Sequence, residues 1–180
     1  MKRVLTIQSF ILPAIVFIVF ALSASSCHVY SFKDVGTIPD SIKTVRVNFI
    51  ENRAPYVNPS LSPTLTDRLK QKIVSQTRLT QTNSDNAGYD IHGYISDYSV
   101  STSGITSTNG KSQSSINRLT VSVHISLTNT LAGTPPTEFD VSRNFDFPAS
   151  QSLEAVQSSL LDDMVKNLTD DIFNRIFSNW

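Results

Sequence analysis

Apolar and polar positions alternate clearly in "IKTVRVNFI", where Val45, Val47 and Phe49 take turns with Thr44, Arg46 and Asn48. A period of two belongs to a half-buried strand, so a first strand is predicted over about residues 42–50. The period then lengthens: Leu65, Leu69 and Ile73, with Val74 beside them, form one apolar stripe, and Asp67, Arg68, Lys70 and Lys72 surround it. This predicts a helix over 63–77, with Ser62 as its N-cap and Pro63 at its first position; the basic residues read as charge that solvates it. A second strand opens at Tyr89, with Ile91 and Ile95 on one face, Tyr94, Tyr98 and Val100 on the other, and Gly93 as the expected bulge. A Ser/Thr-rich stretch follows, and Asn109-Gly110 within it predicts the tight turn of a long polar hairpin. The third strand has the clearest pattern, because Leu119, Val121, Val123, Ile125, Leu127 and Leu131 oppose Thr120, Ser122, His124, Ser126, Thr128 and Thr130.

Beyond Gly133, Pro135 and Pro136, a fourth strand over 138–147 alternates Phe139, Val141, Phe145 and Phe147 with Asp140, Ser142, Asn144 and Asp146. Arg143 falls among the apolar positions, so it either snorkels at a sheet edge or meets a partner, and snorkelling is the expected reading. From about Ser150 to Asn179, Leu153, Val156, Leu160, Met164, Leu168, Ile172 and Ile176 recur at steps of three and four, a helix whose stripe is expected to cover the sheet. The expected fold is therefore α+β: a four-stranded, mostly antiparallel or mixed sheet with two helices packed on one face, in the order β-α-β-β-β-α. The uncovered face should be rich in Ser and Thr.

The N-terminus follows a different logic. Lys2 and Arg3 precede an apolar block, Phe10 to Leu22, whose 13 residues fall short of the roughly 20 needed for a membrane span, which is the shape of a signal peptide. Ala24, Ser25 and Ser26 lead into Cys27, the one cysteine of the chain. Small residues before a cysteine form a bacterial lipoprotein signal, in which the thiol is acylated and becomes the first mature residue; Ala24 stands where a strict signal carries leucine. An ordinary secretory signal with a cysteine nearby is the competing reading. The expected organisation is a signal peptide over 1–26, a lipidated tether over 27–41 and a single domain over 42–180. Acyl chains, at about 0.8 kcal/mol per buried methylene, would anchor the domain to a membrane without spanning it.

Composition excludes more than it suggests. The 15 basic residues balance 15 acidic ones, so no electrostatic footprint for nucleic acid is present. One cysteine and three scattered histidines offer no metal-ligand spacing, and no cofactor is expected. Nucleophile elbows, phosphate loops and dinucleotide fingerprints are absent from the sequence, so a binding or assembly protein is expected rather than an enzyme.

The run "YSF" after the cysteine, "VRVNFIENRAPYVNPSLSPTLTDRLKQKI", "INRLTVSVHISLTNT" and the ending "DIFNRIFSNW" together resemble the LPS-assembly lipoprotein family, LptE, in its Bacteroidota form. His28 and Val29 stand where similar proteins carry a single glycine between the cysteine and Tyr30. The resemblance implies two helices on a four-stranded sheet and an outer-membrane lipoprotein facing the periplasm. It also implies a plug inside an LptD-like β-barrel partner that inserts lipopolysaccharide in the outer leaflet. Lipopolysaccharide carries anionic groups near its lipid, which makes Arg46, Lys111, Arg118 and Arg143 the candidate contacts. Asp40-Ser41-Ile42 resembles an O-glycosylation acceptor of the same lineage, with Ser41 as the acceptor. A periplasmic lipoprotein that binds lipid or glycan without a barrel is the alternative.

Overall fold

The computed structural model describes residues 38–108 and 111–178, and within them the side chains of all but 104–115. The signal peptide, Cys27 and the "YSF" segment lie outside the described residues, as does the Asn109-Gly110 turn. Eight elements follow one another: β1 (Thr44–Val47), β2 (Glu51–Asn52), α1 (Leu61–Gln76), β3 (Thr80–Gln81), β4 (Tyr89–Thr108), β5 (Lys111–Asn129), β6 (Thr137–Pro148) and α2 (Leu153–Phe177). The fold is α+β with two helices on a mixed sheet, as the patterning predicts. The sheet order is β3-β1-β4-β5-β6, and β2 pairs with β4 further along. β1 runs parallel to both β3 and β4, while β4, β5 and β6 form an antiparallel meander. The sheet therefore gains two strands of two residues each, β2 and β3, too short to show a period in the sequence.

The core lies between the helices and one sheet face. Val45, Val47, Ile91, Ile95, Leu119, Val121, Val123 and Ile125 project from the strands to meet Leu65, Leu69 and Ile73 of α1 and Met164, Leu168 and Ile172 of α2. Each such side chain removed from water contributes about 1.5–3 kcal/mol. Packing begins already at Ile38, which joins this core. Ser152 caps α2 by accepting from the Ala155 N–H at 3.4 Å, and Arg175 sits in the last turn, where its charge suits the helix dipole.

Phase slips account for the departures from the pattern. Val47 pairs with Ile91 but Glu51 with Tyr94, four steps on one strand against three on the other. The extra residue turns Phe49 outward, 56% exposed, and Ile50 inward, 1% exposed. Ile50 gives its N–H to the Thr66 hydroxyl of α1 at 3.0 Å, so the break in the ladder leaves no orphan donor there. In β4 the bulge falls after Ile95 rather than at Gly93, and it brings Tyr98 onto the core face, opposite to expectation. Gly93 instead permits close approach, since a Cβ there would lie 2.7 Å from Ile125 Cδ1 and 2.8 Å from the His124 carbonyl oxygen. Leu131 lies past the end of β5 and Val74 outside the α1 stripe; both are exposed.

Entry to α1 also differs from the expected Ser62-Pro63 start. The helix begins at Leu61, with Ser60 as the N-cap position and Pro63 inside the first turn, where a missing N–H is harmless. Asn58, 4% exposed, organises the entry. Its side-chain oxygen accepts from the Ser60 N–H at 3.0 Å and its amide donates to the Tyr98 hydroxyl at 3.3 Å. Tyr56 stacks on Tyr98 with ring centroids 5.4 Å apart and donates to Gln157 of α2, joining this loop to both layers.

Candidate functional site

The helices leave one sheet face open, and alternation decides what it carries: every residue between two core positions must point there. On β5 and β6 these residues stand opposite one another in register as Arg118 and Asp146, Thr120 and Asn144, Ser122 and Ser142, His124 and Asp140, Ser126 and Glu138. The first four rows are bonded across the strands. Arg118 grips Asp146 with two bonds of 2.7 and 2.8 Å, the Thr120 hydroxyl donates to Asn144 Oδ1 at 2.9 Å, Ser122 donates to Ser142 at 2.9 Å, and His124 Nδ1 lies 2.9 Å from Asp140 Oδ1. Four of the five rows are thus bonded within the face, which presents a ladder of polar groups largely satisfied by one another.

Two further groups extend the ladder toward β1. Tyr94 on β4 meets the His124 ring at 5.0 Å and carries the Arg53 guanidinium 4.4 Å above its own ring. Beside it, Asp90 on β4 stands opposite Arg46 on β1 and accepts two bonds from its guanidinium, at 2.9 and 2.6 Å. Asn48 Nδ2 donates to the same carboxylate at 2.7 Å, and His92 Nε2 lies 3.1 Å from it. Arg46 also pairs with Asp85. Asp90 is 8% exposed, and burial alone would favour its protonated form; the Arg46 bonds outweigh that and, with His92 and Asn48, hold its pKa at about 2. The same logic holds Asp146 below its ordinary range through Arg118.

The candidate cations do not converge. Arg46 and Arg118 lie on the open face at opposite ends, each bonded to a carboxylate. Arg143 points to the other side of β6 and bonds Asp171 on α2, so the partner reading replaces simple snorkelling. Lys111 opens β5, where its backbone pairs with Thr108. Ser41 is exposed, next to Asp40, whose carboxylate pairs with Arg78 at 2.5 Å. Across the open face Glu51, Asp90, Asp97, Glu138, Asp140 and Asp146 outnumber Arg46, Arg53 and Arg118, so this face is acidic in balance. Among the described residues no group of three or more His, Cys, Asp or Glu side chains could hold a metal ion, and no helix is long and apolar enough to cross a membrane.

Sheet and helices together define a two-layer α+β domain, in which one sheet face and both helices build the core and the other sheet face offers an extended surface of polar groups. The chain belongs to the LptE family: the family model described as "Lipopolysaccharide-assembly" matches residues 42–176. Among solved structures it is similar to protein CT253 from Chlamydia trachomatis, with 6% identity, coverage of 77% of this chain and 99% of that one, and a TM-score of 0.48. Lipoprotein B from Nitrosomonas europaea gives 16% identity, 79% and 90% coverage and a TM-score of 0.44. The rare lipoprotein B from Shewanella oneidensis gives 11% identity, 74% and 90% coverage and a TM-score of 0.40. A search of curated protein sequences matches none.

Proposed function

We propose that this lipopolysaccharide-assembly protein is anchored through an acylated Cys27 to the periplasmic side of the outer membrane, and that it works as the plug of an LptD-like β-barrel that inserts lipopolysaccharide in the outer leaflet. The open face of β4, β5 and β6 carries this reading. Barrel interiors are polar, and a face whose donors and acceptors are paired row by row can lie against one without stranding a buried polar group. Family membership over residues 42–176 supports the cargo. Arg46, Lys111, Arg118 and Arg143 remain the proposed lipopolysaccharide contacts; at Arg46, Arg118 and Arg143 an anionic group of the lipid would exchange with the carboxylate already bound. Glycosylation is proposed at Ser41, where the hydroxyl-bearing residue is exposed. The role is assembly, with no reaction assigned.

Mild detergent extraction of the native, anchored protein tests the proposal. Co-purification with a β-barrel protein is expected, and a Ser122→Arg/Ser142→Arg variant, which places two bulky charges in the ladder, should reduce it while the domain stays folded. Recovery as a lone monomer that still binds lipopolysaccharide would favour the lipid- or glycan-binding alternative instead.

A further inference from the structure

The cations that the sheet does not pair gather elsewhere. Among the described residues Arg46, Arg53, Arg78, Arg118 and Arg143 each sit beside a carboxylate, and Arg175 lies over the Phe139 ring. Arg68 is the one arginine there with neither. It lines a groove of about 530 Å³ between α1 and α2, together with Lys72 from its own helix and Lys166 from the facing one. Asp170 is the single carboxylate of the lining and is engaged by Lys72 at 2.8 Å. Three cations against one anion leave a surplus of two positive charges. Gln71 adds a neutral donor along the α1 wall, where Ser75 gives its hydroxyl proton to the Lys72 carbonyl. Thr169 also lines the groove from α2; it is 1% exposed, and its hydroxyl has no hydrogen-bond partner. A buried hydroxyl without a partner costs stability, and in a helix it would ordinarily turn to a carbonyl one turn back.

We propose that the α1–α2 groove is a phosphate site that takes a phosphomonoester, free or carried on a lipid headgroup. A phosphomonoester bears about −1.5 to −2 charge near neutral pH, which matches the groove's surplus, and its three acceptor oxygens suit the Arg68 and Lys166 donors converging from two helices with the Thr169 hydroxyl below them. The volume lies within the range of small-ligand sites. On the sequence alone Arg68, Lys70 and Lys72 read as solvating charge; what alters that reading is the facing Lys166 and the unpartnered hydroxyl, which come from a helix about a hundred residues away. This site is separate from the open sheet face, so it stands or falls independently of the barrel partnership.

The test titrates the full anchored chain in nonionic detergent with inorganic phosphate and, separately, with phosphatidic acid, with diacylglycerol as the unphosphorylated control. Calorimetry should show binding of both phosphate probes and none of diacylglycerol. Binding of phosphatidic acid alone would assign the site to lipid headgroups and still support it. Arg68→Gln and Lys166→Gln should each weaken binding about tenfold or more, as expected for a bond to a charged group, while Lys43→Gln should leave it unchanged. Thr169→Val separates ligand contact from packing, because it should raise the melting temperature by removing the unpartnered hydroxyl and yet lower phosphate affinity several-fold. Failure of both phosphate probes to bind, equal losses at Lys43 and Arg68, or unaltered affinity in Thr169→Val would overturn the proposal.

Discussion

Asp90→Asn is the sharpest single probe of the electrostatics of the open face. The carboxylate accepts two bonds from Arg46 and one from Asn48, with His92 beside it, and these hold it from an ordinary 3.8 down to about 2. At 1.36 kcal/mol per pH unit this preference for the charged form is worth about 2 kcal/mol to the folded state. Folding lowers the pKa, so the unfolded chain holds the proton more tightly; the contribution is complete above pH 3.8 and disappears as the pH falls from there toward 2. Asparagine keeps the shape of the side chain and removes the charge. The variant should therefore lose about 2 kcal/mol near neutral pH, roughly 6 °C in melting temperature for a domain of this size. Denaturant unfolding followed by far-UV circular dichroism, repeated from neutral to acid pH, measures both quantities. The gap between the parent protein and Asp90→Asn should close as the solution is acidified through the Asp90 range. A gap that stays constant down to pH 2 would show that the Arg46–Asp90 pair contributes through packing rather than charge, and the argument would fail.

Three other substitutions test the layers separately. Gly93→Ala drives a methyl against the His124 carbonyl, a backbone atom that cannot step aside, and should cost about 1–3 kcal/mol in denaturant melts; a neutral result would mean that β4 and β5 are not as closely apposed as described. Met164→Ala empties a fully buried site facing the sheet and should cost about 2–5 kcal/mol, read from the urea midpoint at unchanged slope. Arg143→Met removes a half-exposed pair with Asp171 but keeps the aliphatic stem, so its stability should stay within about 1 kcal/mol of the parent; a larger loss would show the pair to be structurally essential.

What the sequence revealed depended on how many residues repeated a pattern. β5 and α2 were legible because their apolar positions recur at a constant step, every second residue from Leu119 to Leu127 and every third or fourth from Leu153 to Ile176, so a single misplaced position such as Leu131 could not obscure them. Phe49 and Ile50 exchanged places because one extra residue enters between Val47 and Glu51, and what stabilises it is the Thr66 hydroxyl of a helix not yet formed when the strand is read alone. Tyr98 falls on the face opposite to the expected one for the same reason: a bulge after Ile95 inverts the positions that follow it, as far as the next register shift at Thr102–Gly104, and Gly93 nearby is a more conspicuous decoy. The Ser/Thr rows of the open face followed from alternation alone, whereas their charge pairing did not. Arg46 and Asp90 are 44 residues apart, Arg143 and Asp171 are 28 apart, and composition gives no means of matching them. The helix groove was hidden for a related reason, since its cations lie on two segments that only tertiary packing brings face to face.

A chain of zero formal charge can still present two different surfaces, and this one does so through its pairing. On the sheet, arginines stand opposite carboxylates at ladder distance, so the positive charges are neutralised there and the unmatched carboxylates leave the face acidic. Between the helices, Arg68 and Lys166 line the groove without a bonded carboxylate, and their charge acts on a ligand only at short range, because α1 and α2 together carry six acidic against five basic residues. The sheet side thus suits a polar wall at contact, while the helix groove offers its cations to an anion already at contact. A phosphate seated in the groove would leave the sheet side open to a partner, because the groove and the open face share no residue.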